Sequence, residues 1–297
     1  MTGPFRCALT SRERLEPIEG TASTVRSFVL VEVPGPWGVD AVRDCRMDDE
    51  VRHRLLDLER HHRIRPLLVR RHGRGGDGPG TRVFAAHVDR DRPWVETALL
   101  DDVRELLDLD LSGIGEGRSP GLIPHEEPVF CVCTHGRHDA CCAEQGRPVA
   151  AAMHAVAPGH TWEVSHIGGD RFAANVLVLP YGLYYGRLLP DDVPDLVEAH
   201  RAGRLDLAHL RGRSSYPFAV QAAEVFLRRR LEADDLAPPR LVEHTREGDL
   251  TRVVLALGGA RWEVRVRTRP AAPERLTCRA LRDSAPPRHE LVEIAPR

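Results

Sequence analysis

The sequence contains no lysine; all 42 of its basic residues are arginine. That absence excludes a phosphate-loop lysine, a Schiff-base or pyridoxal-phosphate lysine and a kinase-type nucleotide lysine. No apolar run approaches about 18 residues, so no membrane-spanning helix is expected. Aromatic residues make up only 5% of the chain, which leaves Val, Leu and Ala to build most of the core. Charge of one sign is not in excess. The 42 basic and 44 acidic residues give a formal net charge of −2, whereas a bulk nucleic-acid binder usually carries a basic surplus. The N-terminus, MTGPFRCALTSRERLEP, lacks the apolar stretch of a secretory signal. Seven cysteines without an export signal predict reduced thiols in a cytoplasmic protein, free for metal or redox work.

The 297 residues are enough for about two domains and a full core. The first third reads as alternating strands and helices. Residues 26–33 (RSFVLVEV) are rich in β-branched side chains and predict a strand. Met47, Val51, Leu55 and Leu58 recur at helical spacing behind an acidic start at Asp48, Asp49 and Glu50. Residues 65–70 and 81–88 predict two more strands, joined by the loop HGRGGDGPG, and residues 101–109 a short helix. Gly and Pro dominate residues 112–124, the best candidate linker.

In the middle third, residues 128–133 predict a strand. A loop follows, then a helix that Pro148 opens in its first turn and that runs to about Val156. Residues 161–165 predict a strand, and 175–179 with 183–188 a hairpin about Pro180, Tyr181 and Gly182. Residues 191–202 predict a helix, with Gly203 just past its end. This βαβββα order fits a thioredoxin-like sandwich. Residues 217–233 predict a long helix, with an apolar stripe of Ala219, Ala222, Ala223 and Phe226; three strands follow at 240–244, 251–257 and 262–267. The expected architecture is therefore α/β. An N-terminal α/β domain (1–122) precedes a thioredoxin-like domain (123–234) and a C-terminal β-meander extension (235–297). No repeat of 20–50 residues is evident, although the first and middle thirds share a weak βαββ order.

Residues 130–146 read FCVCTHGRHDACCAEQG, with Cys131, Cys133, Cys141 and Cys142 interleaved with His135 and His138. Thiolate and imidazole together suit zinc or iron–sulfur chemistry. Burial alone would also explain Cys131 and Cys133 as strand residues, and for Cys131 and Cys141 taken singly it is a better reading than ligation. No C-x-x-C occurs, which disfavours a thioredoxin-type dithiol. Zinc fingers prefer C-x₂₋₄-C pairs, and Cys133 and Cys142 stand farther apart than that. A second segment, WEVSHIGGDRFAAN at 162–175, places His166 at a strand end, then Gly168, Gly169 and Asp170.

Two further patterns carry less. Gly73, Gly75 and Gly78 fit G-x-G-x-x-G literally, but a strand follows where a pyrophosphate-binding helix should, so the segment reads as a hairpin loop. Arg211, Arg213, Arg228, Arg229 and Arg230 form a basic tract. It reads as a solvated face or, more sharply, as a docking patch for an acidic redox partner.

CTHGRHDACC, SHIGGDRFAANVLVLP, GLYYGRL and LRGRSSYP, with the earlier SRERLEPIEGTA and PGPWG, resemble the sucrase/ferredoxin-like family, which includes thioredoxin-like ferredoxins. The resemblance covers most of the chain. It implies a [2Fe–2S] cluster held by a C-x₈-C pair and an H-x₃-H pair. Cys133 and Cys142 match the cysteines and His166 the first histidine, but the second histidine falls on Asp170. An anionic oxygen donor should lower the potential relative to an imidazole. Three outcomes stay open: Asp170 ligates, Cys141 or His138 takes its place, or the cluster is lost. The family's sucrase label implies sugar cleavage, but no acidic pair can be placed at glycosidase separation from sequence.

Two principal readings follow. The first is an electron-transfer protein, a redox carrier more than an enzyme, with a [2Fe–2S] cluster on Cys133, Cys142, His166 and Asp170 and a separate redox protein as partner. It involves neither nucleic acid nor membrane. The alternative is a clusterless thioredoxin-like binding or scaffold module, with structural zinc. A catalytic thiol at Cys141 or Cys142 beside His138 is a third idea, without a base–orienter arrangement to support it.

Overall fold

The computed structural model describes residues 4–73, 80–89 and 91–297. The G-x-G-x-x-G segment lies mostly outside them, at residues 74–79. In chain order the first part gives α1 (Cys7–Glu13), β1 (Ser27–Glu32), α2 (Asp49–His62), β2 (Ile64–Arg70), β3 (Thr81–His87), β4 (Trp94–Leu100) and β5 (Ile123–Pro124). The middle gives β6 (Val129–Cys133), α3 (Ala140–Val156), β7 (Thr161–Val164), β8 (Val176–Leu179), β9 (Leu183–Tyr185), α4 (Val193–Arg201), β10 (Leu210–Arg213) and α5 (Phe218–Leu231). The last part gives β11 (Arg240–Glu247), β12 (Leu250–Leu257), β13 (Ala260–Pro270) and β14 (Pro287–Pro296). The architecture is mixed α/β. No helix among the described residues is long and apolar enough to cross a membrane.

Among the described residues, β1 to β10 form one sheet in the order β10-β9-β8-β6-β7-β2-β1-β3-β4-β5. Its two halves repeat one plan. In the first, β1 and β2 are parallel with α2 between them, and β3 and β4 follow antiparallel on the far side of β1. In the second, β6 and β7 are parallel with α3 between them, and β8 and β9 follow antiparallel on the far side of β6. The halves meet where Val69 of β2 pairs antiparallel with Val164 of β7. The weak βαββ order shared by the two thirds is thus a common topology. Glu32 stands beside Val69 as Cys133 stands beside Val164, so a carboxylate occupies in the first half the strand-end place that a thiol occupies in the second.

Local chemistry explains these elements. Asp48 caps α2 by accepting from the Glu50 amide at 2.9 Å, and Val51, Leu55 and Leu58 put one apolar stripe into the core. Each such buried Val or Leu contributes about 1.5–3 kcal/mol. Strand β6 is buried throughout and follows the period of two. Val129, Cys131 and Cys133 face one core cluster, Phe130 and Val132 another. Helix α5 lays Val220, Ala222, Ala223 and Leu227 on the apolar face of the four-stranded sheet β11-β12-β13-β14, against Val253, Leu255, Val264 and Val266.

Four expectations change. Helix α3 starts at Ala140, eight residues before Pro148, because Asp139 caps it by accepting from the Cys141 amide at 2.9 Å. Pro148 lies inside that helix on its exposed side. The segment 112–124 is not a free connection: Ile114 is buried, its carbonyl accepts from the Ser27 hydroxyl, and β5 pairs with β4. The C-terminal sheet has a fourth strand, β14. Of the basic tract, Arg211, Arg213 and Arg228 are buried, so they form neither a solvated face nor a docking patch. Arg213 and Arg228 share the buried carboxylate of Glu224, and Arg211 serves the site described next.

Candidate metal centre

Cys133 ends β6, and Cys142 lies in the first turn of α3. The backbone of α3 approaches β6 closely enough for this because of Gly146: a Cβ there would lie 2.0 Å from the Cys133 carbonyl oxygen. His166 follows β7. Gly168 and Gly169 then turn the chain with φ of +99° and +81°, values that glycine adopts without strain, and Asp170 comes back over Cys142. Arg211 fixes this turn from below. Its guanidinium donates to the Gly168 carbonyl at 3.0 Å and to Asn175 Oδ1 at 2.8 Å, and the Asn175 amide donates to the Gly169 carbonyl at 2.9 Å. Burial lowers the Arg211 pKa to about 10, still charged at neutral pH.

The structure brings all four sequence-predicted residues together. One donor atom each from Cys133, Cys142 and His166 lie within 4.8 Å of one another, and so do those of His138, His166 and Asp170. The Cys142 thiol donates to Asp170 Oδ1 at 3.2 Å, and His166 Nδ1 stands 2.9 Å from the same oxygen. Both thiols and the carboxylate are buried, while the His166 side chain is 23% exposed and that of His138 34%. The imidazole side is therefore the one that meets solvent.

Electrostatics separates the two thiols. The adjoining Cys142 thiol holds the Cys133 pKa well below the ordinary thiol value against burial, with help from His166. The same contact, then burial, pushes Cys142 up. Burial alone would lower His166, but Asp170 and Cys133 outweigh it and raise its pKa to about 9. Burial would raise Asp170, and His166 overrides it, holding the carboxyl below its ordinary value.

The other histidines divide by their partners. His135 accepts from the His166 amide at Nδ1 (3.2 Å), so its Nε2–H donates to the Gly38 carbonyl at 2.7 Å, and both nitrogens are spent. His138 Nδ1 lies 3.3 Å from the Val39 carbonyl. That contact leaves Nε2 facing Asp170 Oδ2 at 3.8 Å, and the ring stacks on His166 at 3.7 Å. Trp37, from the same PGPWG segment, sets its ring edge-on to His135. The first half of the sheet thus lends a loop that covers the second half's site. Cys131 lies deep in the core, its pKa raised by burial alone, and behaves as a strand residue.

A second convergence was not foreseen. Cys7, Asp139, Cys141 and Cys278 place donor atoms within 4.8 Å of one another. Cys7 and Cys278 stand far from the central motif in sequence, and no spacing rule links them to it. Their only sequence signal is that they are thiols left outside it.

A model of the sucrase/ferredoxin-like family matches residues 18–212. The chain belongs to the sucrase/ferredoxin-like family. The sucrase/ferredoxin-like match runs over both βαββ units and ends within β10, before α5 and the four-stranded sheet. Cys133, Cys142, His166 and Asp170 all lie inside it. No curated protein and no solved structure matches the chain.

Proposed function

We propose that this chain is an electron carrier whose Cys133 and Cys142 thiolates and His166 imidazole hold a [2Fe–2S] cluster, with Asp170 in the fourth place. The observation that carries the reading is that Cys133, Cys142 and His166 place donor atoms within 4.8 Å of one another, with Asp170 against Cys142 and His166, inside the family-matched region. The donor set suits the group: two soft thiolates and a nitrogen are the ligand types of histidine-containing iron–sulfur centres. His166 Nδ1 stands 2.9 Å from Asp170 Oδ1 and the imidazole also meets the Cys133 thiol, so the ring already lies among the other three donors. The strand order β7-β6-β8-β9, with α3 and α4, supports a thioredoxin-like reading of the middle unit.

When bound, such a cluster supplies one-electron exchange at a potential set by ligand type, charge and exposure. The chain's residues do the rest. Gly146 and the Asp139 cap keep Cys142 facing Cys133. Arg211 locks the turn that presents Asp170 and places a buried positive charge behind the anionic donors. The exposed edges of His138 and His166 give a partner its closest approach. Arg137, next to His138 in the chain, is exposed and favours an acidic redox protein as that partner, in the cytoplasm.

One observation favours the clusterless alternative. Donor atoms within 4.8 Å also suit a single zinc ion. Iron and acid-labile sulfide analysis of protein purified without oxygen separates the two. The electron-carrier reading expects equal iron and sulfide, both lost on Cys133→Ser/Cys142→Ser. Zinc lost on that substitution, with no iron present, would establish the alternative.

A further inference from the structure

We propose that Cys7, Cys141 and Cys278, with Asp139, form a second and separate metal site, built for one zinc ion that pins the C-terminal sheet to the start of α3. The three thiols come from α1, from the first turn of α3 and from the connection between β13 and β14. Cys141 Sγ and Cys278 Sγ stand 3.4 Å apart, Cys278 Sγ and Cys7 Sγ 3.6 Å, and Cys7 Sγ lies 3.6 Å from Asp139 Oδ1. A tetrahedral zinc with Zn–S near 2.3 Å holds its sulfurs about 3.8 Å apart, and sulfur about 3.6 Å from a carboxylate oxygen. The observed spacings need only tenths of an ångström of adjustment.

The carboxylate is prepared for this place. Asp139 is fully buried, and its oxygens accept from the Cys141 amide at 2.9 Å and the Cys278 amide at 2.6 Å. Two backbone donors fix its orientation and leave lone pairs for a metal. Three thiols and a carboxylate are an anionic, soft set that suits zinc more than calcium or magnesium. Cys278 is only partly buried, which leaves an entry path.

The place in the fold gives the metal a task. Residues 271–286 form a sixteen-residue connection without a strand of their own, and Leu281 near its middle is almost fully exposed. A connection that long needs an anchor in a compact chain. Cys278 supplies it, flanked by Arg275 over the Phe5 ring at 3.7 Å and by Arg279, which donates to the Arg137 carbonyl at 2.9 Å. Binding involves no redox step. Zinc(II) displaces the three thiol protons to solvent, and the N-terminal turn of α3, which carries Cys141, favours the resulting negative charge.

The test uses the full chain, purified with a thiol reductant and without chelator, and zinc measured per chain. One zinc is expected in wild type and in Cys133→Ser/Cys142→Ser, and none in Cys278→Ser. Because Cys278→Ser could unfold, wild type is also stripped and alkylated with and without added zinc(II). Zinc should then slow modification of Cys7, Cys141 and Cys278 together, about tenfold or more. Zinc lost only with Cys133 and Cys142 would overturn the proposal. So would alkylation unchanged by zinc, or a Cys141–Cys278 disulfide in the reduced preparation.

Discussion

Cys141 and Cys142 are neighbours in the first turn of α3, yet their thiols serve different clusters. Cys142 faces Cys133 and Asp170, and Cys141 faces Cys7 and Cys278. Successive helical residues point about 100° apart, so one turn can feed two sites. Asp139 connects them: it caps the turn and contacts the Cys7 thiol.

That geometry predicts separable losses. Cys142→Ser should abolish iron binding and leave zinc at the second site. Cys141→Ser should release the zinc and retain iron. Metal analysis of the two variants side by side checks this. Loss of both metals from both variants would show a single coupled centre.

Gly146 sets the distance between α3 and β6. Gly146→Ala must push the helix off the Cys133 carbonyl, since its Cβ would sit 2.0 Å away. The expected cost is about 1–3 kcal/mol, with a fall in iron content. Gly159 has open space at its Cβ, and Gly159→Ala should leave both unchanged. Urea unfolding midpoints with metal analysis measure the difference.

Asp170 in the fourth place predicts that Asp170→Ala loses most of its iron, whereas His138→Ala keeps it. Asp170→His replaces an anionic oxygen by a neutral nitrogen. The reduction potential should then rise, on the order of 100 mV. Retention by Asp170→Ala with loss in His138→Ala would move the fourth place to His138.

His200 predicts an acid-sensitive fold. Burial, then Arg213, lowers its pKa from the ordinary 6.5 to about 4. The Tyr185 hydroxyl lies 3.0 Å from its Nε2. Below pH 6.5 the unfolded chain takes up a proton that the folded chain refuses, so stability is lost as pH falls towards 4. Between pH 7 and 5 this group accounts for about 2 kcal/mol. His200→Gln should flatten that part of the stability–pH curve; an unchanged slope would remove His200 from the explanation.

The parts legible in sequence are those with strong local periodicity. Val51, Leu55 and Leu58 announced α2, and the apolar run at 129–133 announced β6. The four side chains that meet were implied by the family resemblance that CTHGRHDACC and SHIGGDRFAAN carry, not by spacing alone. Pro148 misled, because proline is usual in a first helical turn, while the capping Asp139 marked the true start. Strand β4 was missed because its WVETALL breaks the alternation expected of a strand. Strand β14 lies beyond a long connection and exposes most of its residues, so no apolar run marks it. The convergence of Cys7 and Cys278 depends on how α1 and the β13–β14 connection pack on α3. No local pattern encodes that.

The most direct measurement is the visible and electron paramagnetic resonance spectrum of oxygen-protected wild type, before and after dithionite, with Cys133→Ser beside it. The expected result is a coloured protein that bleaches on reduction and gains the signal of one reduced [2Fe–2S] centre, both absent in Cys133→Ser. A colourless wild type that stays silent after reconstitution with iron and sulfide would contradict the assignment.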